Sequence, residues 1–255
     1  MRHGPTALVT GAAQGIGAAV SRSLRRRGFD LVLVDHQAER LQRLGRGLGA
    51  KPVVMDLSLP TAVDDLSVAL DGHEIGLVVH NAAVSPLGPF EKAEPAALEA
   101  AIAVNARVPL MLTRALLPSM LARGRGGLVF LSSLVAFHGA SELAAYAATR
   151  GFTLTLGESL WAELRGTGVD VLVACPGATD TEGFRSTDPD PRMLRRIPLA
   201  PPAAAAEEIL DALGGAGPTR LLGRANRMAE AVMGLLPRGM ASRLTDANLR
   251  RLYRR

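Results

Sequence analysis

Residues 8–20 read LVTGAAQGIGAAV, and this stretch decides the fold. It places Gly11, Gly15 and Gly17 where an apolar, strand-like run gives way to a helical pattern. Glycine lets a backbone approach a ligand closely and lets a helix pack tightly on the preceding strand. The helix that follows also offers free N–H groups and a positive dipole end to a pyrophosphate. The stretch therefore predicts a nucleotide-binding strand–turn–helix unit, with a glycine turn needed only for packing as the alternative.

The rest of the chain alternates short apolar runs with long helical patterns. Such runs are typical of parallel strands covered on both faces, and the alternation indicates right-handed βαβ units. We therefore predict an α/β fold of the Rossmann type, a doubly wound parallel sheet of about seven strands flanked by helices in a single domain. The predicted strands span residues 7–10, 30–35, 51–56, 76–81, 127–132, 169–175 and 219–223. The predicted helices span residues 15–27, 37–48, 60–70, 95–121, 143–165 and 203–213.

Two segments stand outside this alternation. Residues 178–202 are rich in Pro, Asp, Thr and Arg and follow the carboxyl end of a strand, where open α/β sheets bind ligands. Because connections of this length are usually functional or disordered, we expect a lid over substrate within a domain of residues 1–223, with a plain surface insertion as the alternative. Residues 224–255 predict a basic amphipathic extension, broken at Pro237 and Gly239, that packs on the body or on a second subunit. Contact with an anionic membrane surface is the alternative for this extension.

Charge and cysteine content narrow the possible partners. The chain of 255 residues has a formal net charge of +5, and nearly all of its cations are arginines, since Lys51 and Lys92 are the only lysines. The arginines are spread along the chain without a basic run interleaved with aromatics, so we expect no nucleic-acid binding. Cys175 is the only cysteine and ends an apolar run, which excludes an internal disulfide and predicts a buried thiol. No cluster of His, Asp and Glu has metal-ligand spacing, so no metal site is predicted.

Targeting signals are not recognisable. The first predicted strand begins near the N-terminus, where a signal peptide would lie. The apolar stretch 95–121 is interrupted by Asn105, Arg107 and Arg114, so we expect no membrane span. The expected location is the cytoplasm.

Polar residues at predicted strand ends indicate how a dinucleotide would bind. Asp35 ends the second strand about 20 residues after the glycine turn, where a carboxylate accepts hydrogen bonds from both ribose hydroxyls of adenosine and repels a 2′-phosphate. NAD(H) is therefore favoured, with NADP(H) as the alternative. Asp56 ends the third strand and either bonds the adenine amino group or caps the helix predicted from residue 60. Asn81 and Ala82 follow the fourth strand, where the backbone passes close to the cofactor.

Several spaced motifs together resemble the short-chain dehydrogenase/reductase family, over residues 6–223. TGAAQGIG at 10–17 matches the family's TGxxxGxG turn, HNAA at 80–83 stands in place of its NNAG, and AVNA at 103–106 carries Asn105 in the long fourth helix. LSSLVA at 131–136 contains Ser133, which precedes Tyr146 by the family's usual thirteen residues. CPGATDT at 175–181 matches its PGxxxT segment. Tyr146 opens YAATR, in which Arg150 replaces the family's lysine.

The resemblance implies reversible hydride transfer between a nicotinamide and a carbonyl carbon, with Tyr146 as the general acid/base. It implies that Ser133 orients the substrate oxygen and that Asn105 holds a water; a helix kink stabilised by a polar side chain is the alternative for Asn105. His138 and Glu142 lie on the segment that borders substrate in the family, and either contact substrate or form an exposed loop pair. The implied cofactor-binding residues are Gly11, Gln14, Gly15, Ile16, Gly17, Asp35, Asp56, Leu57, Asn81, Ala82, Tyr146, Arg150, Pro176, Gly177, Thr179 and Thr181.

Arg150 is the departure from the family pattern. The family's lysine supports ionisation of the tyrosine, bonds the nicotinamide ribose and joins a proton relay. Arg150 lies about 6 Å along the same helix face and supplies the charge that favours a phenolate, but an arginine keeps its proton and has a larger, planar head.

The leading function is an NAD(P)-dependent alcohol dehydrogenase or ketone reductase, of reduced or unusual activity because of Arg150. The alternatives are a non-redox enzyme such as a dehydratase or cyclase, and a dinucleotide-binding protein without catalysis. The family resemblance also implies a homodimer or homotetramer, paired through the fourth and fifth helices.

Overall fold

The described part of the chain folds around a seven-stranded parallel sheet. The computed structural model of the protein describes residues 2–195, 197 and 199–253. The strands lie in the order β3-β2-β1-β4-β5-β6-β7, which confirms the predicted doubly wound sheet. Their bounds are β1 (Thr6–Thr10), β2 (Asp30–Asp35), β3 (Lys51–Val54), β4 (Ile75–His80), β5 (Gly126–Leu131), β6 (Val169–Cys175) and β7 (Thr219–Leu221).

The strand order reverses at β1, which determines where a ligand can bind. β1 pairs in parallel with β2 on one side and with β4 on the other. The connections that leave β1 and β4 run to opposite faces of the sheet, so they leave a crevice at the carboxyl ends of these strands. The glycine turn follows β1, and Asn81 follows β4, at the two sides of this crevice.

Helices cover both faces of the sheet. Where they differ from the predicted bounds, the shifts at the ends are mostly one or two residues, as expected for fraying termini. The helices are α1 (Gly15–Arg26), α2 (Ala38–Leu48), α3 (Ala62–Ala69), α4 (Pro95–Ile102), α5 (Val108–Arg123), α6 (Ala144–Glu163), α7 (Glu182–Arg185), α8 (Pro191–Leu194), α9 (Pro202–Ala212), α10 (Arg224–Met233) and α11 (Arg238–Tyr253).

Two of the predicted helix patterns need correction. The single helix predicted over 95–121 is divided by a π-helical turn, Ala103–Arg107, between α4 and α5. In the C-terminal extension, α10 ends at Met233 and α11 begins at Arg238, so the predicted break at Pro237 is confirmed. Gly239 falls in the first turn of α11 and does not break it, because a glycine near a helix end costs little helix stability.

The continuous apolar character of the strands follows from having a core on each face. Val9 and Leu33 pack with α1, α2 and α9, whereas Leu8 and Val32 pack with α3, α5 and α6. Successive side chains of a strand point to opposite faces, so each residue of a doubly covered strand must be apolar. The sequence pattern that predicted a parallel sheet is therefore explained by burial on both sides.

The helical stretch Pro95–Arg123 belongs to the second of these cores. By length and composition alone it is long and apolar enough to cross a membrane, contrary to the expectation from its interrupting polar residues. In the fold, Val104, Val108, Leu112 and Met120 of this stretch are buried against the sheet. Packing in the protein interior therefore explains part of its apolar content, whereas Leu110 and Met111 of the same stretch are exposed.

His80 is a buried histidine at the end of β4. Its ring stacks on Phe130, with centroids 4.9 Å apart, and its Nε2 forms a 2.9 Å hydrogen bond with the Thr113 hydroxyl. Its Nδ1 is buried and has no hydrogen-bond partner in the structure. Burial lowers the pKa of His80 to about 3, so the ring is neutral at physiological pH. These contacts make His80 part of the packed core between β4, β5 and α5.

We expect His80 to make the protein less stable in mild acid. In the unfolded chain a histidine titrates near 6.5, whereas His80 in the native state takes up a proton only near pH 3. Stability is therefore lost as the pH falls below about 6.5, by roughly 2 kcal/mol at about pH 5. Urea unfolding of the wild-type protein and of His80→Asn, each at about pH 6.5 and at about pH 5, measures this loss of stability. The variant should lose less stability on acidification, and parallel losses in the two proteins would contradict the assignment.

Candidate functional site

The glycine turn between β1 and α1 is conformationally demanding. Gly11 and Gly15 have φ values of 64° and 57°, in the left-handed region that favours glycine. At Gly17 a Cβ atom would overlap the carbonyl oxygen of Gly11, so a side chain there would force the turn open. Gln14, the residue before α1, is extended, and its side chain does not cap the helix. The N–H groups at the start of α1 are thus available for an anionic ligand.

Asn81 clamps the turn to the neighbouring strand. Its side-chain amide donates hydrogen bonds to the carbonyl oxygens of Thr10, at 3.0 Å, and Gly11, at 2.9 Å. In return, the Thr10 hydroxyl accepts from the backbone N–H groups of Asn81 and Ala82, both at 3.1 Å. The ends of β1 and β4 are therefore joined at the switch point. This positioning role was not predicted for Asn81, which was expected only to pass close to a cofactor.

Asp35 brings a carboxylate to the glycine turn. It is buried, and its two carboxylate oxygens accept from the backbone N–H groups of Ala13 and Gln37, both at 3.0 Å. A carboxylate oxygen has a second lone pair, so these bonds hold the group in place without using its full capacity to accept. The bond to Ala13 links the end of β2 directly to the turn, as the predicted cofactor role requires.

The turn opens on a groove of about 920 Å³ that carries positive charge. Arg22, Arg40 and Arg43 line it, together with Gln14 and the first residues of the predicted lid. Arg40 donates to the Gln14 side chain at 2.8 Å and forms an ion pair with Glu182. The charge of Arg40 is therefore partly balanced by an acid from the lid.

Asp56 bonds locally and does not cap the following helix. Its Oδ1 accepts from the backbone N–H of Ser58 at 2.9 Å and from the Ser58 hydroxyl at 2.7 Å, and these bonds lower the pKa of the Asp56 carboxyl. The residue that precedes α3 is Thr61. The helix-cap alternative is therefore wrong, because a carboxylate bonded two residues ahead forms a tight turn instead. Asp56 is exposed and Leu57 is buried.

Asn105 lies in the π-helical turn, fully buried. Its side-chain amide accepts from the Val84 N–H at 2.8 Å and donates to the Val84 carbonyl at 2.7 Å and to the Thr149 hydroxyl at 3.0 Å. The backbone carbonyl of Asn105 accepts from the Thr153 hydroxyl at 2.9 Å. Asn105 thus ties the loop after β4 to α6, the helix that carries Tyr146. Its role as a water ligand stays a prediction.

Ser133 and Tyr146 lie on neighbouring elements at the same edge of the sheet. Ser133 follows β5, and its hydroxyl accepts from the Val135 N–H at 3.4 Å, at the start of a 3₁₀ turn, Leu134–Ala136, that packs on α6. Tyr146 lies in the first turn of α6. Both side chains are half-buried, so each remains accessible from the crevice.

The Arg150 side chain lies against the ring of Tyr146, the candidate catalytic tyrosine. Its guanidinium carbon lies 4.9 Å from the centroid of the Tyr146 ring, and its Nη1 donates to the Leu131 carbonyl at 2.7 Å. The side chain is almost completely buried, and its Nε has no hydrogen-bond partner among the residues that the structure describes. Among the described residues no carboxylate pairs with it. A buried cation is costly unless it is compensated, and here the compensation comes from one carbonyl dipole and one aromatic face.

The segment after β6 meets the glycine turn. A Cβ atom on Gly15 would lie 3.0 Å from the methyl carbon of Thr181, so the two predicted cofactor-binding residues are neighbours. The Thr181 hydroxyl accepts from the Phe184 N–H and caps α7, and Thr179 is buried. The ends of the predicted lid are tied together, because the backbone N–H of Asp180 donates to the Ala200 carbonyl at 2.9 Å. The lid is therefore a loop with a closed base, and it contains α7 and α8.

The C-terminal helices contact the substrate side of the site. His138 bonds Glu230 of α10 at 2.8 Å, and Ser141 bonds Asp246 of α11. Asn226 of α10 lies against Gly177, where a Cβ atom on the glycine would meet its amide nitrogen at 2.5 Å.

These contacts correct one alternative for His138 and Glu142. Both residues are half-buried, so they are not an exposed loop pair. Sequence reasoning missed Asn226, Glu230 and Asp246. The sequence signal that could have identified them is the presence of polar residues on one side of each C-terminal helix, the side that packs on the rest of the protein.

Cys175 is an inert thiol. It is fully buried at the end of β6, and burial raises its pKa to about 12. Because the thiolate is the reactive form, this residue has no nucleophilic role at neutral pH. This confirms the predicted buried thiol. Within the described ranges, no group of three or more His, Cys, Asp and Glu residues is arranged to hold a metal ion.

Comparison with known proteins identifies the family. The family model described as short chain dehydrogenase matches residues 5–192. A 1-deoxy-11-beta-hydroxypentalenate dehydrogenase from Streptomyces exfoliatus is 38% identical over 185 residues, covering 69% of this chain and 67% of the relative.

Solved structures give the same result. A 7beta-hydroxysteroid dehydrogenase structure, studied for stereoselectivity, matches with a TM-score of 0.89 and 25% identity over 96% of this chain and 97% of the other. A short-chain dehydrogenase from Sphingobium yanoikuyae in complex with NADPH matches with a TM-score of 0.79 and 27% identity, over 91% and 96% of the two chains. The chain, with its glycine turn at the switch point and Tyr146 at the head of α6, belongs to the short-chain dehydrogenase family.

Proposed function

We propose that this protein is an NAD(P)-dependent oxidoreductase that interconverts an alcohol and a ketone or aldehyde. The observation that carries the proposal is the stacking of the Arg150 guanidinium on the Tyr146 ring, 4.9 Å from its centroid. It joins a proton donor and a permanent cation on an edge of the sheet that also has the glycine turn. When bound, the nicotinamide supplies or accepts the hydride at the reacting carbon.

The dinucleotide fits the residues at the switch point. Its pyrophosphate would lie at the N-terminus of α1, next to Gly15, where a side chain would fill the space. Asp35 would hold the adenosine ribose with its remaining acceptor capacity. Thr181, beside Gly15, would close the pyrophosphate from the lid side.

Tyr146 moves the proton in this proposal. In the direction of reduction its hydroxyl gives a proton to the carbonyl oxygen as the carbon is reduced, and it is left as a phenolate. The Ser133 hydroxyl donates a hydrogen bond to the same oxygen and stabilises the charge that develops there. In oxidation the phenolate takes the alcohol proton.

Arg150 stabilises the phenolate but does not carry its proton. A cation that touches the ring attracts the negative charge that develops on the phenol oxygen during proton transfer, and burial strengthens this attraction because little water screens it. Since arginine keeps its proton, the phenolate must be reprotonated from solvent by a route that avoids residue 150. One arm of the guanidinium is also bonded to the Leu131 carbonyl, and is therefore not free for a cofactor ribose.

Removing the Tyr146 hydroxyl tests the reaction type. We expect Tyr146→Phe to reduce kcat by about 10²-fold or more, because general acid–base catalysis contributes that much. The assay follows nicotinamide absorbance with a panel of bulky alcohols and ketones. Binding of NADH and NADPH, measured in parallel, should be unchanged in the variant. Failure of the wild-type protein to bind either cofactor would exclude both the dehydrogenase and the non-catalytic dinucleotide binder. Binding without turnover on the whole panel would favour that binder.

Exchanging the cation tests the role of Arg150. We expect Arg150→Lys to raise kcat, by up to about tenfold, because an ammonium releases a proton and joins a relay. Arg150→Met, which fills similar space without charge, should lower kcat by about 10²-fold. Turnover and its pH profile measure both effects. A lysine variant slower than the wild type would mean that the site is built around the guanidinium.

We favour NAD(H) over NADP(H) for this site. Asp35 is buried beside the turn, and a carboxylate there repels a 2′-phosphate. NADP(H) remains the second candidate, because Arg40 and Arg43 line the adjoining groove and the Sphingobium yanoikuyae relative was solved with NADPH.

We expect Asp35→Ala to weaken NADH binding and to improve NADPH binding relative to it. The change removes both the ribose acceptor and the repulsion of the phosphate. A matched variant, Arg40→Gln, should weaken NADPH binding only. Fluorescence titration with each cofactor measures the ratio of dissociation constants, and tighter NADPH than NADH binding by the wild type would reverse the assignment.

We also propose a cytoplasmic homo-oligomer. Leu110 and Met111 on α5 and Phe152 on α6 are exposed large apolar side chains. They lie on the helices through which the family resemblance implies pairing. Burial of this surface against a second copy would remove it from water.

A further inference from the structure

The two C-terminal helices have an apolar surface that faces solvent. Large side chains of α10, of α11 and of the turn between them are 47–85% exposed, and we refer to these five as the tail face. In α10 they recur four residues apart and in α11 likewise, so they form stripes along the outer sides of both helices. The tail face consists of Met228, Val232, Leu235, Met240 and Leu244.

The inner side of α10 makes polar contacts, whereas α11 combines polar contacts with the buried apolar residues Ala241 and Leu252. Asn226, Glu230 and Asp246 point to the body and make the contacts with Gly177, His138 and Ser141. Arg227 likewise pairs with Glu208 of α9 at 2.5 Å. A helix that packs on a soluble protein normally buries its apolar stripe. α10 and α11 nevertheless leave large apolar side chains on their outer sides, and this surface is available for a partner to cover.

The charge of the outer surface is of one sign. Within residues 224–253, the exposed charged side chains are all arginines, whereas Glu230 and Asp246 are partly buried and bonded to the body. Asp246 also pairs with Arg250 at 2.8 Å, so the charge of Arg250 is partly balanced. An apolar stripe flanked by cations complements an anionic, amphipathic partner. The exposed arginines are Arg224, Arg238, Arg243, Arg250 and Arg251.

We propose that the tail face docks on an anionic lipid surface. The five apolar side chains enter the boundary between headgroups and acyl chains, and the arginines bond the lipid phosphates. A second copy fits less well, because a two-fold interface would set this row of arginines against its own image. Nucleic acid also fits less well, because the face has aliphatic side chains where base stacking requires aromatic ones.

Docking would bring the lipid surface close to the entrance of the candidate site. The lid is bonded to α11, since the Asp190 N–H donates to the Leu252 carbonyl at 2.7 Å. The inner sides of α10 and α11 meet His138 and Ser141, on the segment between Ser133 and Tyr146. An apolar substrate dissolved in the lipid would therefore reach the crevice without crossing bulk water. This last step rests on the proposed function, whereas docking itself does not.

Vesicle sedimentation with the full-length protein tests the docking. The probes are vesicles of phosphatidylcholine alone and of phosphatidylcholine with phosphatidylglycerol, at about 0.15 M salt. We expect binding to the mixed vesicles only. A neutral double variant, Met228→Gln with Leu235→Gln, should bind at least about tenfold more weakly, because two apolar side chains no longer enter the lipid. The matched control is Val68→Gln on α3, an equally exposed apolar residue outside the tail face, and it should bind like the wild type.

Three outcomes would overturn the proposal. The first is no sedimentation of the wild type with mixed vesicles. The second is equal binding by the wild type and the double variant, which would attribute binding to the net charge of +5 alone. The third is a dimer in sedimentation equilibrium that the double variant converts to monomer, which would make a second copy the occupant. Unchanged thermal unfolding of the variants shows that a loss of binding does not come from misfolding. Because vesicle binding is measured without substrate or cofactor, it succeeds or fails independently of the dehydrogenase assay.

Discussion

The reciprocal bonds between Thr10 and Asn81 are the constraint on which the site depends. The amide of Asn81 holds the carbonyl oxygens of Thr10 and Gly11, and the Thr10 hydroxyl holds the backbone that follows β4. Two strands whose connections diverge to opposite faces are thereby locked together at their carboxyl ends. The glycine turn keeps its left-handed conformations because these bonds, and that from Ala13 to Asp35, define its shape. The start of α1 then points into a crevice that is preformed.

The second constraint is electrostatic and lies across the crevice. Arg150 is an almost fully buried cation whose compensation comes from the Leu131 carbonyl and the Tyr146 ring. The cation therefore lies directly against the side chain that the proposed reaction uses as its acid and base. The same contacts restrict the guanidinium, because an arm bonded to the backbone cannot also reorganise around a ligand. In the proposed function, residue 150 is therefore a fixed charge and not a proton carrier.

Much of the fold could be read from local patterns, and parts of the site could not. Apolar runs separated by helical periods predict a doubly covered parallel sheet, because each strand residue faces one of two cores. The π-helical turn at Asn105 was not predictable, since it is stabilised by Val84, Thr149 and Thr153, which are distant in sequence. A helix-cap role was one alternative for Asp56, but its carboxylate accepts from the nearby Ser58 N–H instead and forms a tight turn. The partners of His138 and Ser141 were also missed, because they belong to the C-terminal helices and are distant in sequence.

By itself, the sequence determined the strand–turn–helix unit, the sheet class and the family, and it predicted which residues act as acid, base or cation. These depend on short-range rules: glycine where φ is positive, apolar residues where both faces are covered, and fixed spacing along one helix. Only the tertiary structure decided the environment of those residues. It buried Arg150 against Tyr146, neutralised His80, and placed α10 and α11 so that part of their apolar surface faces solvent. Burial and charge compensation arise from contacts between segments far apart in the chain, and no local pattern specifies them.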